Sequence, residues 1–296
     1  MLQNKRKNLL IVCAGDNSLH PTWLSPERSY DLITIYYGSN STVSEKYRQI
    51  SDLFFECKGL KIELAREILL NRLYIQHKFD FSHYSYIWFP DDDLEFACEQ
   101  RGIEALFTVA EQTSADVFQP AIRNEHYSVM WEPTREISEA YAHRTNIVEL
   151  MAHGFRGEVF EKCYLGAIHT CEFMKSGWGL EPIWTKIGEV LFRGPLRTYV
   201  FDCIPIIHTR PIGSGDSIVH KLGCYEATYM PQIHTNRMTT FNVYSNLEEL
   251  KYDSDSDSEL NSNYKHVEAY HQKEFNQFLH PKKTKLQRIW KKTRRA

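Results

Sequence analysis

Three short runs of apolar residues, each followed by a glycine or a proline, most constrain what this chain can fold into. They occupy residues 8–14, 31–37 and 84–89. A continuous apolar run of this length is typical of a parallel strand buried on both faces. Helical spacing of apolar residues follows at 59–75, 102–111 and 156–173. Strands that alternate with helices predict an α/β fold with a mostly parallel central sheet.

An acidic turn follows the third run, where Pro90 leads into Asp91, Asp92 and Asp93. Ligands of an open α/β sheet bind at the carboxyl ends of its strands. Adjacent carboxylates repel one another, and a divalent cation with oxygen ligands, Mg²⁺ or Mn²⁺, relieves that repulsion while holding the phosphates of a substrate. Asp91 and Asp93 face the same side of an extended segment, so we predict that these two share one ion.

A second segment carries groups suited to an acceptor. Gly177 and Gly179 flank Trp178, which allows a sharp turn and a close approach of the backbone to a ligand. The indole offers a flat apolar face to a sugar ring. Glu181 follows at a predicted helix start, where an ionised carboxylate is favoured, and we predict that it takes the proton from a hydroxyl.

A late strand, predicted at 203–207, ends at His208. A histidine in this position is suited to be a third metal ligand beside Asp91 or Asp93, in a mixed nitrogen and oxygen site. Arg210 follows two residues later, and its guanidinium can meet phosphate oxygens bidentately.

In this order, the acidic turn, the GWGLE segment at 177–181 and the strand ending in His208 resemble GT-A-type nucleotide-sugar glycosyltransferases. The acidic turn is similar to the DxD motif of that family, and GWGLE to the GWGxE segment of β-1,4-galactosyltransferase-like enzymes. A closer resemblance is to a GT-A-like family of plants and bacteria once labelled as related to lysine-ketoglutarate reductase trans-splicing proteins. It rests on YIWFPDDDLEF (86–96), TNIVELMAHGF (145–155) and SGWGLE (176–181).

The resemblance implies a GT-A, Rossmann-like fold over about residues 8–215 and site roles for particular residues. Glu181 would be the base of an inverting reaction and His208 the late metal ligand. Asp92 would bond the ribose or the donor sugar. The other residues that bind the nucleotide-sugar donor would be Arg66 on the early helix, and Gly15 and Asp16 after the first strand.

These motifs predict a metal-dependent inverting glycosyltransferase that uses Mn²⁺ or Mg²⁺. It would move a sugar from a nucleotide-diphosphate donor, first of all a UDP-sugar, to a hydroxyl of a glycan or lipid-linked glycan. Bacterial capsule or lipopolysaccharide synthesis is the expected setting. Two alternatives stay open, which are an inactive nucleotide-sugar-binding or scaffold protein and a metal-dependent phosphoesterase.

The charge is distributed unevenly along the chain. The formal net charge is −3, but residues 282–296 hold eight basic and no acidic residues, so residues 1–281 carry −11. Leu286, Ile289 and Trp290 have the spacing that would put them on one side of a helix, and this pattern favours an anionic membrane surface. The acidic remainder opposes nucleic-acid binding. We therefore expect a cytoplasmic protein, peripheral on the inner face of the membrane.

This pattern also predicts the domain organisation. A GT-A-like domain would span 1–235, an acidic and polar linker 236–262, and a C-terminal helix with the basic membrane-associating tail 263–296.

Overall fold

One sheet of ten strands forms the centre of the computed structural model, which describes residues 6–97, 102–123, 131–210 and 240–255. The strands are β1 (Asn8–Ala14), β2 (Tyr30–Tyr36), β3 (Leu53–Glu56), β4 (Tyr86–Trp88), β5 (Leu94–Phe96), β6 (Val117–Ile122), β7 (Ala142–Thr145), β8 (Gly154–Arg156), β9 (Thr198–His208) and β10 (Thr240–Tyr244). Their order is β10-β7-β9-β6-β8-β4-β1-β2-β3, and β5 pairs with β9.

The longest ladders of the sheet are parallel. They join β1 to β2, β2 to β3, and β6 to β9. A shorter parallel ladder joins β1 to β4, whereas β5, β7, β8 and β10 pair antiparallel. The α/β fold class with its large, mostly parallel sheet is confirmed. Every residue of β1 and β2 is buried, which explains why these strands have no polar face.

Helices connect the strands. They are α1 (Ser41–Ile50), α2 (Lys61–Leu64, continuing as the π-helix Ala65–Gln76), α3 (Ile103–Gln112), α4 (Gly157–Val159, the π-helix Phe160–Tyr164 and Leu165–Thr170), α5 (Glu181–Phe192) and α6 (Leu247–Asp255). The helix α4 packs against α2 and against α5. None of the helices in the described ranges is both long and apolar enough to span a bilayer.

The sheet continues into the segment predicted as a linker. Thr240–Tyr244 pairs with β7, and Leu250 of α6 is buried, so the domain extends beyond residue 235. The rest of the predicted linker after residue 255, the predicted C-terminal helix and the basic tail at 282–296 lie outside the described residues.

Candidate active site

The predicted site residues meet at one edge of the sheet. Strands β1, β4 and β9 run in the same direction, so their carboxyl ends lie at the same edge. Gly15 follows β1, the acidic turn follows β4, and His208 is the last residue of β9. Strand β5 brings the acidic turn and His208 together, because Leu94, which directly follows Asp93, pairs with His208.

Asp92 joins the acidic turn to the end of β1. Its carboxylate is buried and accepts a 2.7 Å hydrogen bond from the Gly15 N–H. Burial raises the pKa of Asp92. A Cβ atom on Gly15 would lie 2.8 Å from the Tyr37 hydroxyl oxygen, so the close approach requires glycine. Arg210 lies alongside, with Nη1 3.8 Å from Asp92 Oδ1, and donates from Nη2 to the carbonyl of Asn17.

Asp93 and His208 form the contact that comes nearest to a metal-ligand pair. Nε2 of His208 lies 3.3 Å from Asp93 Oδ2, and the Thr209 N–H and hydroxyl donate to the Asp93 carbonyl at 3.0 and 2.8 Å. Burial alone would lower the pKa of His208, but the bond and charge of Asp93 raise it. Asp93 Oδ1 is buried without a hydrogen-bond partner among the described residues. One oxygen atom and one nitrogen atom suited to bind a metal ion are therefore in place.

Asp91 faces a different partner from the one predicted. Lys61, in the first turn of α2, donates to Asp91 Oδ1 at 2.7 Å and to the carbonyls of Phe89 and Leu150 at 3.0 and 2.8 Å. In the ranges that the structure describes, no group of three or more His, Cys, Asp or Glu side chains could hold a metal ion. The structure thus brings Asp93 and His208 together and places Asp91 in a separate ion pair.

Arg66 does not make the contacts expected of a donor-binding residue. Its Nε and Nη2 donate to the carbonyls of Ile168, Cys171 and Met174 at 3.2, 3.0 and 2.9 Å. These bonds fix the segment that runs from α4 to Gly177. The basic residue of α2 that reaches the acidic turn is Lys61, in the first turn of the helix, and the donor-binding role of Arg66 stays a prediction.

Asp16 lies at the same edge but is engaged by the loop after β2. It accepts a hydrogen bond from the Tyr36 hydroxyl, and the N–H groups of Ser39 and Asn40 donate to it at 3.1 Å each. The bond from Tyr36, followed by the backbone bonds, lowers the pKa of Asp16. Asp16 therefore shapes the rim of the predicted donor pocket rather than offering an unengaged carboxylate.

The GWGLE segment turns tightly against α2. Gly177 and Gly179 have φ values of +85° and +91°, which favour glycine. A Cβ on Gly177 would lie 2.4 Å from Ile62 Cγ1, so this residue also packs too closely for any side chain. Trp178 is partly exposed between them. The predicted acceptor segment is thus held beside the helix that carries Lys61.

Two buried glutamates lie in this site, and the sequence prediction found only one. Glu181 opens α5, and burial, followed by the charge of Glu149, raises its pKa to about 7. Burial likewise raises the pKa of Glu149 to about 7. Glu149 lies within the apolar stretch 145–155, and an acid inside an apolar run is the signal that could have identified it.

No known family model matches the chain, and no curated protein matches it. Among solved structures, it is similar to residues 1–349 of TarS from S. aureus, with a TM-score of 0.47 and 14% identity over 69% of this chain and 60% of that one. The same protein in complex with UDP-GlcNAc matches with a TM-score of 0.44 and 12% identity, covering 78% and 69%. A protein of Desulfovibrio desulfuricans G20 assigned as a nucleotide-diphospho-sugar transferase gives 0.34 and 11%, covering 75% and 96%.

Proposed function

We propose that this chain is a metal-dependent inverting glycosyltransferase that transfers a sugar from a nucleotide-diphosphate donor, first of all a UDP-sugar, to a glycan hydroxyl. The observation that carries the proposal is the contact of Asp93 with His208 at 3.3 Å beside the Gly15–Asp92 hydrogen bond, at the carboxyl ends of the strands. This edge is where an open α/β sheet binds its ligands.

Asp93 and His208 fit a Mn²⁺ or Mg²⁺ ion. They supply a carboxylate and an imidazole, and Asp93 Oδ1 has no other partner in the described part of the chain. Mg²⁺ is usually held by one or two carboxylates together with substrate phosphates, so two protein ligands suffice. When bound, the ion would neutralise the departing diphosphate.

The other residues bind the two substrates. Asp92 and Gly15 hold the end of β1 against the acidic turn, where the donor nucleotide would lie, and Arg210 adds a cation for its phosphates. Trp178 would pack on a sugar ring of the acceptor. A buried carboxylate with a pKa near 7 has the basicity to take the proton from the acceptor hydroxyl, and Glu181 is the candidate from the sequence.

A thermal-shift panel tests the donor site. UDP, GDP, CDP and dTDP are each added with and without Mn²⁺, and one nucleotide should raise the melting temperature only with the metal, since a ligand at 100 times its Kd stabilises by about 2.7 kcal/mol. Asp93→Asn should lose this shift and keep its own melting temperature. Glu27→Gln, a matched loss of charge at an exposed position, should keep both.

Transfer separates the proposal from its alternatives. If the protein releases the nucleotide diphosphate from a nucleotide-sugar, the glycosyltransferase proposal is supported. If it binds the nucleotide-sugar without releasing the nucleotide, it is an inactive binding or scaffold protein. If no nucleotide binds and generic phosphate esters are hydrolysed with Mn²⁺, the chain is a phosphoesterase and the proposal is wrong.

The biological setting is a separate part of the proposal. A cytoplasmic enzyme with a basic tail suits lipid-linked glycan synthesis for a bacterial surface polysaccharide at the inner face of the membrane. Deletion of residues 282–296 should abolish binding to vesicles rich in phosphatidylglycerol. Unchanged vesicle binding by the shortened chain would refute the anchor and leave the donor site untouched.

A further inference from the structure

We propose that Glu149 is a further catalytic residue of this site and that its carboxylate, rather than that of Glu181, takes the proton from the acceptor hydroxyl. This inference rests on the proposed glycosyltransferase function. It begins from the different surroundings of two carboxylates that are almost equally buried, at 5% and 6% exposure.

The Glu181 carboxylate is used to hold the backbone. Its Oε2 accepts the N–H of Gly179 at 3.1 Å, and the N–H groups of Leu150 and of Glu181 itself also donate to the carboxylate. These backbone donors fix the carboxylate between the GWGLE segment and the loop that carries Leu150. Glu181 is therefore placed as a positioning residue.

Among the described residues, the hydrogen bonds to the Glu149 carboxylate use one oxygen, Oε1. Its Oε1 accepts the hydroxyl of Thr134 at 2.5 Å and the N–H of Trp131 at 3.3 Å, and Oε2 takes part in neither bond. The Glu149 N–H donates to Oε1 of Gln119 at 2.5 Å, which fixes the backbone as well. Oε2 is therefore the oxygen that these two bonds leave for a proton.

Backbone hydrogen bonds connect the Glu149 loop to the rest of the site. The residues that follow Glu149 reach the acidic turn, because the carbonyl of Leu150 accepts from Lys61 and the carbonyl of Met151 accepts the Asp91 N–H at 2.7 Å. Glu149 is thus joined through the residues that follow it to the acidic turn and, through the Leu150 N–H, to Glu181.

A buried pair behind Glu149 fixes its anchor. His143 and Asp202 are buried, and Nδ1 of His143 lies 2.7 Å from Asp202 Oδ2. The other ring nitrogen lies 2.7 Å from the Pro133 carbonyl oxygen, and Asp202 Oδ1 accepts the N–H of Ile137 at 2.7 Å. The segment with Trp131 and Thr134 is therefore held on both sides, which is what a base of fixed orientation requires.

In the proposed step, proton transfer to Glu149 accompanies a displacement at the anomeric carbon of the donor sugar. The acceptor oxygen forms a bond to the anomeric carbon as its proton passes to Oε2 of Glu149. The bond from the anomeric carbon to the diphosphate breaks, and the diphosphate leaves with the electron pair. The protonated Glu149 then loses its proton to water, and no oxidant or other co-reactant is needed.

Full-length variants test the assignment with water as the acceptor. UDP release is measured from UDP-glucose, UDP-galactose and UDP-N-acetylglucosamine with Mn²⁺, for the wild type, Glu149→Gln, Glu181→Gln and the surface control Glu27→Gln. We expect Glu149→Gln to keep the metal-dependent thermal shift with UDP and to lose release by roughly 10²–10⁴-fold, the usual contribution of a general base. The surface control should match the wild type.

Chemical rescue separates a base from a residue that only holds the loop. Formate, an external carboxylate, should restore release at least about tenfold in Glu149→Ala and not in Glu181→Ala. Wild-type release by Glu149→Gln, or formate rescue of Glu181→Ala alone, overturns the assignment. A wild type that neither binds UDP with Mn²⁺ nor releases it overturns the proposed function itself, so the two failures are distinguishable.

Discussion

Glu149 should make the stability of the protein depend on pH in a way that a single isosteric change removes. Its pKa is raised from 4.5 to about 7 by burial. The unfolded chain therefore loses this proton near pH 4.5, whereas the folded chain keeps it until about pH 7. The group contributes stability below pH 4.5 that is lost as the pH rises through about 7. A shift of this size corresponds to about 3 kcal/mol, at 1.36 kcal/mol per pH unit.

Glu149→Gln keeps an oxygen for Thr134 and Trp131 and stays neutral at every pH. We expect the variant to match the wild type near pH 4 and to exceed its free energy of unfolding by about 3 kcal/mol at pH 8. Urea unfolding from pH 4 to 8.5 measures the difference, and Glu27→Gln controls for the change in net charge. A difference between Glu149→Gln and wild type that stays constant over this range would refute the reasoning.

Two substitutions test the packing of the site. Lys61→Met leaves Asp91 without its cation and two carbonyls without their donor. The free energy of unfolding in urea should fall by about 2 kcal/mol. This loss is smaller than that for breaking a fully buried ion pair, because the Asp91 side chain is 37% exposed. An unchanged urea midpoint would contradict the role of the ion pair. Gly177→Ala should cost about 2 kcal/mol or more, since φ is +85° and the new Cβ would lie 2.4 Å from Ile62. The matched change Gly166→Ala in α4, whose Cβ would approach nothing closer than 3.9 Å, should be neutral or stabilise by up to about 1 kcal/mol, and equal effects of the two changes would refute the steric account.

The strands that the sequence predicts are those with an unbroken apolar run. β1 and β2 are found within one residue because both faces are buried, so the apolar run is interrupted only by Asn8, Asp31 and Thr34. β7 is missed because Ala142–Thr145 contains a histidine and an arginine that only tertiary contacts bury. Helix α1 is also missed, although Asn40, which caps the N–H groups of Thr42 and Val43, was visible as a start signal.

The place of the site was predictable from the sequence, and its pairings were not. Strand ends locate Gly15, the acidic turn and His208 at one edge, because parallel strands share a direction. Which partner each cation of α2 meets depends on how the helix rotates as it packs, and this places Lys61 on Asp91 and Arg66 on the carbonyl of Ile168. The role of Glu149 depends on segments 15 to 30 residues away along the chain, which no local pattern reveals.

The hydrogen bonds at this edge of the sheet join residues that are far apart in the sequence, which affects when they form during folding. Gly15 and Asp92 are 77 residues apart, Lys61 and Leu150 are 89 apart, and Asp93 and Thr209 are 116 apart. Contacts this distant form late, after the entropy of closing long loops has been overcome. During synthesis Asp93 therefore emerges well before His208 and Thr209, which contact its carboxylate and its carbonyl. A nascent chain released before residue 208 would still hold Asp91 and Asp92 through Lys61 and Gly15 but would leave Asp93 without these two contacts.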